Sequence, residues 1–395
     1  MAKKKTAKKP APVVKTPKEK KPTSKADSIC KSLIKEYGAD VLIKPEEYEK
    51  RSYPTGSRQL DIALGVRGWT GGRIIEIFGR EQSGKTTLVL HSIAEAQGDG
   101  KLCGIVDLEK LDIPYAKRIG VDVNKLIIAQ PKESSMILDV TLGLVRKGVD
   151  FVAVDSIAAL SPKSELEQSI GKDTMAIVAR QLGRCTRQTL DPLFANGSVV
   201  VFINQIRDKM NSMGYAMTTT PGGNALRGFA GVRVEVKKGL GIYIGDVEVK
   251  DEITEETVKI TRKRKTDDAG WKKRTQIGQG TLLYVVKNKV GIPYKRVEID
   301  IRLGEGIDKE VETYDLACMF KVLETAGAGV VRLVDKTSGE ILAKSQNKYD
   351  MIDLLLRHNY WGRIEKEVED EWTKRGAFQD SSCVDILSSE DSSTE

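Results

Sequence analysis

Residues 79–87 read Gly79-Arg80-Glu81-Gln82-Ser83-Gly84-Lys85-Thr86-Thr87, a complete G-x-x-x-x-G-K-[ST] phosphate-binding loop with one further threonine. An apolar run, Ile74 to Phe78, comes before it, and a helical pattern from Thr87 to Ala94 follows. Glycines let the backbone wrap so that successive N–H groups point at one phosphate, and the helix N-terminus adds partial positive charge. In such a loop Lys85 reaches the β/γ-phosphates and Thr86 turns its hydroxyl to Mg²⁺. The chemistry implied is binding of a nucleoside triphosphate. Three further positions lie where apolar strands end. Asp155 closes Phe151-Val-Ala-Val and suits a second Mg²⁺-site element. Glu109, just past the strand that ends at Asp107, is either the carboxylate that orients an attacking water or an ordinary exposed charge. Asn204-Gln205 follows Val200 to Ile203, and a polar pair there suits a group that senses the γ-phosphate.

These positions must be held by regular elements. Strand-like segments at 73–78, 101–107, 150–155, 198–203, 232–237 and 281–287 alternate, at least early on, with helical patterns. That alternation predicts an α/β fold, a mostly parallel central sheet covered by helices. Ligands then bind beyond the carboxyl ends of the strands, where the residues above fall. Residues 208–223, rich in Met, Thr and Gly, read as a mobile loop, with Arg207, Lys209 and Met210 at its start. Basic and apolar side chains together suit single-stranded nucleic acid. Residues 246–280 interrupt the pattern as a charged hairpin or insertion containing Arg262-Lys263-Arg264-Lys265. Beyond 306 a smaller α/β unit is expected, with helices from Tyr314 to Ala326 and from Tyr349 to Trp361.

The chain has 395 residues and a net charge of +8, unevenly spread. Residues 1–25 hold ten lysines and one glutamate, so this segment is expected to be disordered and attractive to polyanions. Residues 26–52 supply an amphipathic helix (Asp27 to Tyr37) and a linker, 53–305 the core, 306–378 the small unit and 379–395 an acidic tail. No stretch is long and apolar enough for a signal peptide or a membrane span. Five scattered cysteines read as free thiols in a reducing compartment, so the expected location is cytoplasmic. Two histidines far apart give no zinc site, and His91 reads simply as a helix residue.

Taken together these residues resemble the bacterial RecA recombinases. The likeness is carried by Pro54-Thr-Gly-Ser57, Leu60-Asp-Ile-Ala-Leu-Gly65, Gly72-Arg-Ile-Ile-Glu-Ile77 and the phosphate loop. Val154-Asp-Ser-Ile-Ala-Ala-Leu160, Phe202-Ile-Asn-Gln-Ile-Arg207, Gly222-Gly-Asn-Ala-Leu226, Val285-Val-Lys-Asn-Lys289 and Gly304-Glu-Gly-Ile307 follow in the same order. The resemblance implies a RecA-type P-loop ATPase core with an N-terminal docking helix and a small C-terminal α/β domain. It implies ATP and Mg²⁺ as ligands, single- and double-stranded DNA as partners, self-assembly into a helical filament with ATP at the subunit interface, and no membrane partner. Strand exchange with DNA-stimulated ATP hydrolysis is the implied activity. Residue by residue, it makes Glu109 the water-activating glutamate and Gln205 the link between γ-phosphate and DNA loop. Lys287 and Lys289 become lysines that serve the neighbouring subunit's γ-phosphate, and Asp112 and Tyr115 contact adenine. Met175, Arg180, Arg187, Arg207, Lys209, Met210, Gly222, Gly223 and Asn224 fall at DNA-contacting positions, in or beside loops at 167–175 and 207–223. The chain departs from the family at Arg80, Gln82 and Gly183, after Glu109 where it is one residue shorter, in the insertion and in both tails.

Overall fold

The computed structural model describes residues 25–38, 51–160, 174–210, 216–221, 223–250, 257–265 and 274–374. The basic tail before residue 25, most of the linker, residues 161–173, residues 211–215, Gly222, two stretches of the insertion (251–256 and 266–273) and the tail from 375 lie outside the described residues. The chain divides into two compact units, Met1–Glu49 and Lys50–Glu395. In the first, helix α1 (Lys25–Tyr37) leaves Ile29, Ile34 and Tyr37 exposed.

The second unit is organised by a long, mostly parallel sheet. Its parallel part holds β3 (Arg73–Gly79), β4 (Cys103–Asp107), β5 (Leu126–Ala129), β6 (Phe151–Asp155), β7 (Val199–Gln205) and the first residues of β10 (Val232–Lys250). The parallel order is β10-β3-β7-β6-β4-β5. β12 (Arg274–Asn288), β13 (Arg296–Arg302) and β14 (Gly306–Ile307) extend the other edge antiparallel. β1 (Ser52–Tyr53) and β2 (Trp69–Thr70) form a small separate pair, as do β8 (Arg207–Met210) and β9 (Ala216–Thr219).

The central strands are apolar on both faces because helices cover both. Successive residues of a strand point to opposite faces. Ile75 and Ile77 of β3 accordingly join one core cluster with Leu88, Leu90 and Ile93 of α3 (Lys85–Gly98), beneath α2 (Arg58–Leu64) and α4 (Ile113–Ile119). Ile74 of β3 joins the other, with Ile137 and Leu138 of α5 (Ser134–Arg146) and Leu182 of α6 (Thr174–Asn196). A short helix α7 (Gly223–Phe229) closes that second face through Leu226.

Several expectations are corrected. The stretch read as a mobile loop after Arg207 contains the β8–β9 hairpin, with Arg207 opposite Thr219. The strands expected at 232–237 and 281–287 are much longer, because β10 continues through Lys250 and pairs with β11 (Thr257–Lys265) as well as β12. The described part of the insertion, read as a hairpin or a mobile segment, is the hairpin: a ribbon grown from the sheet. The helix expected from Tyr314 to Ala326 is α8 (Lys309–Met319): Asp308 caps it by accepting from Val311 N–H, with Glu310 and Glu312 in the first turn. The chain leaves the helix at Lys321 (φ 59°), so Val322 and Leu323, although at helical spacing, lie outside it. Glu324–Ala326 is strand β15 in a three-stranded sheet with β16 (Val330–Val334) and β17 (Ile341–Ser345). The helix expected from Tyr349 to Trp361 is split, at Asn359 (φ 58°), into α9 (Lys348–Arg357) and α10 (Trp361–Lys374). Leu316, Leu333, Met351, Leu355 and Ile364 form an apolar cluster among these helices and this sheet, joined by Ile62 of α2 and Ile242 of β10.

His91 is a buried structural residue that joins α3 to β14. Its Nε2 accepts from Ile307 N–H at 2.8 Å, and a Cβ on Gly306 would lie 2.4 Å from it. Burial, with Lys309 nearby, holds its pKa down at about 4. In the unfolded chain the ring takes a proton near pH 6.5. Stability from this group is therefore complete above pH 6.5 and is lost as pH falls toward 4, about 2 kcal/mol of it between pH 7 and 5. His91→Gln keeps an acceptor for Ile307 and does not titrate. Melting both proteins at pH 7 and 5 should show a smaller acid loss for the variant. Other buried groups, among them Asp61, which burial pushes up to about 7, are common to both and cancel. An equal acid loss in both would remove His91 from the account.

Candidate active site

The phosphate loop joins the end of β3 to the start of α3. It is shaped by two glycines that no other residue replaces without movement. Gly84 has φ 97°, and a Cβ there would approach Ile301 Cδ1 to 2.5 Å; a Cβ on Gly79 would lie 2.1 Å from Val236 O. Between them Gln82 takes a positive φ of 55°, and its carbonyl accepts from Gln279 Nε2 at 3.1 Å. Glu81, Gln82, Ser83, Gly84, Lys85, Thr86 and Thr87 line a cavity of about 400 Å³, together with Glu109, Asp155, Ile203 and Gln205. Arg80 is exposed at its rim.

Inside the cavity the side chains are connected. Lys85 is buried, and its Nζ donates to Arg80 O at 2.7 Å. Burial lowers its pKa against the pull of Asp155, Glu109 and Glu81. Thr86 Oγ1 donates to Asp155 Oδ2 at 2.7 Å, while Asp155 Oδ1 is buried and has no hydrogen-bond partner. Burial pushes the Asp155 carboxyl up to about 6; Glu109 and Asp107 raise it further, and the Thr86 hydroxyl and Lys85 oppose them. Ser83 Oγ is also buried and unpartnered.

A hydroxyl beside a carboxylate oxygen that lacks a partner is the donor set that fits Mg²⁺, which takes few protein ligands and completes its shell with phosphate and water. Among the described residues no group of three or more His, Cys, Asp or Glu forms an all-protein cage.

Glu109 Oε1 accepts from Ser156 Oγ at 2.5 Å and from Gln205 Nε2 at 3.5 Å. Three strand ends (β4, β6 and β7) thus meet on one carboxylate. For Ser156 the only sequence signal of such a contact is its place beside Asp155 at a strand end. Gln279 carries no such signal, because it reaches the loop from a strand nearly two hundred residues away. Tyr115 lies beside the first turn of α3, with its hydroxyl 2.8 Å from Thr87 Oγ1. Asp112 is exposed and caps α4, accepting from Tyr115 N–H at 3.0 Å.

Lys287 and Lys289 are not brought to this chain's own phosphate loop. Lys287 pairs in register with Arg233, upstream of the Val236–Gly79 pair. Its Nζ donates to Arg227 O at 2.6 Å and Gly228 O at 3.0 Å. Arg180 and Arg187 are exposed on α6. Gly222 lies outside the described residues, as do the side chains at Met175, Arg207, Lys209, Met210 and Asn224; Gly223 opens α7.

A sheet with a phosphate loop on its central strand, and carboxylates at the ends of β6 and β4 on the same side of it, defines a P-loop nucleoside triphosphatase. The family is given by comparison. The RecA N-terminal domain family matches residues 25–308. The chain is 38% identical over 312 residues to Protein RecA of Bartonella quintana, covering 78% of this chain and 82% of that one. It is 41% identical over 282 residues to Protein RecA of Brucella anthropi (71% and 70%). It is 40% identical over 314 residues to Protein RecA of Rickettsia canadensis (78% and 83%). The chain belongs to the RecA family. It is a DNA-dependent ATPase and homologous recombinase, which forms filaments on single-stranded DNA and catalyses strand exchange. No helix among the described residues is long and apolar enough to cross a membrane.

Proposed function

We propose that the cavity at the phosphate loop hydrolyses ATP with Mg²⁺, and that this site drives assembly on DNA. The loop's N–H groups and Lys85 hold the phosphates. Thr86 Oγ1 and Asp155 would hold Mg²⁺, which when bound neutralises charge on the phosphate oxygens. Glu109 orients a water in line with the γ-phosphate, and Ser156 and Gln205 orient Glu109. Tyr115 and Asp112 flank the base. Lys287 and Lys289 bring positive charge to the nucleotide of the neighbouring subunit, so ATP binding favours filament growth. Gln205 passes the state of the site to the loop at 207–223. That loop, with Gly222, Gly223 and Asn224 and the region of Met175, Arg180 and Arg187, holds single-stranded DNA and admits the duplex. The setting is the cytoplasm.

One observation carries this reading: the Thr86–Asp155 pair, with its unpartnered oxygen, shares a single cavity with a Glu109 fixed by two hydrogen bonds. The test is ATP hydrolysis with and without single-stranded DNA, followed by strand exchange between homologous substrates in the same mixtures. Stimulated hydrolysis with exchange is expected. Stimulated hydrolysis without exchange, and rings in place of filaments in electron micrographs, would make the protein a motor.

A further inference from the structure

A line of polar residues crosses the sheet beneath α7. Phe202, Glu76, Arg233 and Lys287 are direct register partners on β7, β3, β10 and β12. Residues opposite one another share a face, and Asn204, two residues beyond Phe202, shares it too. This is the face of the apolar cluster that contains Ile74, Val200, Phe202 and Leu226. Within it, Glu76 and Asn204 have no exposed surface. Asn204 Nδ2 donates to Glu76 Oε1 at 2.9 Å, and Glu76 Oε2 accepts from Arg233 Nε at 2.5 Å. The Arg233 guanidinium lies 4.5 Å from the Phe78 ring centre, and its Nη2 is buried without a partner.

The line is fastened to the chain between residues 205 and 229 at both ends. Asn204 Oδ1 accepts from Gln205 N–H at 2.9 Å, and Asn204 Nδ2 also donates to Pro221 O at 3.0 Å. One amide therefore closes the neck of the loop from both sides. At the other end Lys287 holds the last carbonyls of α7. The line has two cations and one carboxylate. Burial first, then Lys289 and Arg233, make it harder for Lys287 to carry its charge, and Glu76 makes it easier. The hold on Lys287 thus depends on where Glu76 sits, and Glu76 is hydrogen-bonded to the loop neck. A buried ion pair in an apolar cluster is a poor way to gain stability, since well-packed apolar residues there are often as good or better.

We infer that Glu76 and Arg233 are positioning residues that couple the loop at 206–222 to Lys287, so that DNA on the loop and release of Lys287 from α7 toward a neighbouring nucleotide are linked. The inference rests on the roles proposed above for that loop and for Lys287. Displacing the loop neck moves Asn204 on Glu76. That alters the pairing of Glu76 with Arg233, and with it the balance of charge that keeps Lys287 on the Arg227 and Gly228 carbonyls.

The test uses the full chain and the neutral double variant Glu76→Gln/Arg233→Gln, which retains hydrogen-bonding groups and buries no unmatched charge. The readouts are thermal melting, turnover without DNA, and anisotropy of a labelled single-stranded oligonucleotide with and without a non-hydrolysable ATP analogue. The variant should melt close to the parent and turn over ATP without DNA within about twofold of it. The factor by which the analogue tightens DNA binding should fall at least about fivefold, the low end of coupling between linked sites. An unchanged factor in a folded variant overturns the inference, as does a loss of DNA-free turnover in proportion to a loss of melting temperature. Should the double variant not fold, Asn204→Ser leaves the Glu76–Arg233 ion pair in place and removes the amide that ties Glu76 to Pro221 and Gln205. The same fall in the factor is then expected, and an unchanged one overturns the inference. If the parent protein shows no effect of the analogue on DNA binding, the functional reading fails along with this one. A normal parent beside an unaffected variant sinks this one alone.

Discussion

Lys85→Ala should lower ATP turnover, with or without DNA, at least about a hundredfold, the loss typical of removing one donor aimed at developing charge. The environment argues for the upper part of that range. Lys85 is the cation that the charge balance of the cavity sets against Asp155, Glu109 and Glu81. Its removal leaves carboxylates facing an anionic ligand, and Asp155, which Lys85 now helps to keep ionised, moves further toward its protonated form. The fold should survive, because burial already works against the lysine's charge and its one hydrogen bond is to a carbonyl of the same loop. The measurement is phosphate release at saturating ATP, with a thermal melt beside it. DNA-stimulated hydrolysis within tenfold of the parent, in a folded variant, would sink the assignment of the loop.

What the sequence made legible follows from how local each signal is. The phosphate loop is contiguous, and its glycines answer to a backbone shape that nine residues define, so it could be read at once. Asp155 and Gln205 were legible through one rule, polar residues where a buried strand ends, and β6 and β7 end at those residues. The contacts that turn those positions into a site were not legible. Ser156 and Gln205 meeting on Glu109 depends on β4, β6 and β7 lying side by side, which is a fact of strand order. The buried Asn204–Glu76–Arg233 bridge joins strands far apart in the chain, and Glu76 reads in sequence as one charge interrupting an apolar run. The misplaced helices of the small unit have a local cause. Period alone extended them through Lys321 and Asn359, two non-glycine residues at positive φ, a conformation rare enough that pattern reading does not anticipate it. The helix expected from Tyr314 starts earlier, at Lys309, because Asp308 caps it and acidic residues fill its first turn. The long β10–β12 ribbon was under-read because charged residues outside a core carry no alternating pattern.

Glu109→Gln should bind ATP and DNA as the parent does and turn over ATP about a hundred to ten thousand times more slowly, the contribution of a positioned general base. The separation of binding from turnover follows from the geometry. The groups that would hold the phosphates are the loop N–H groups, Lys85 and Thr86, and Glu109 is bonded to none of them. Its own contacts come from Ser156 Oγ and Gln205 Nε2, both donors. A glutamine oxygen accepts from either donor, so the variant side chain keeps its place while losing the ability to take a proton from water. DNA binding in ATP should then persist where the parent releases DNA as hydrolysis proceeds, and a labelled oligonucleotide in a chase experiment would report a longer residence time. Parental turnover in the variant would move the water-orienting role to another group. Loss of DNA binding together with turnover would make Glu109 part of the apparatus that holds the nucleotide, and Ser156 and Gln205 would then position a ligand contact instead of a base.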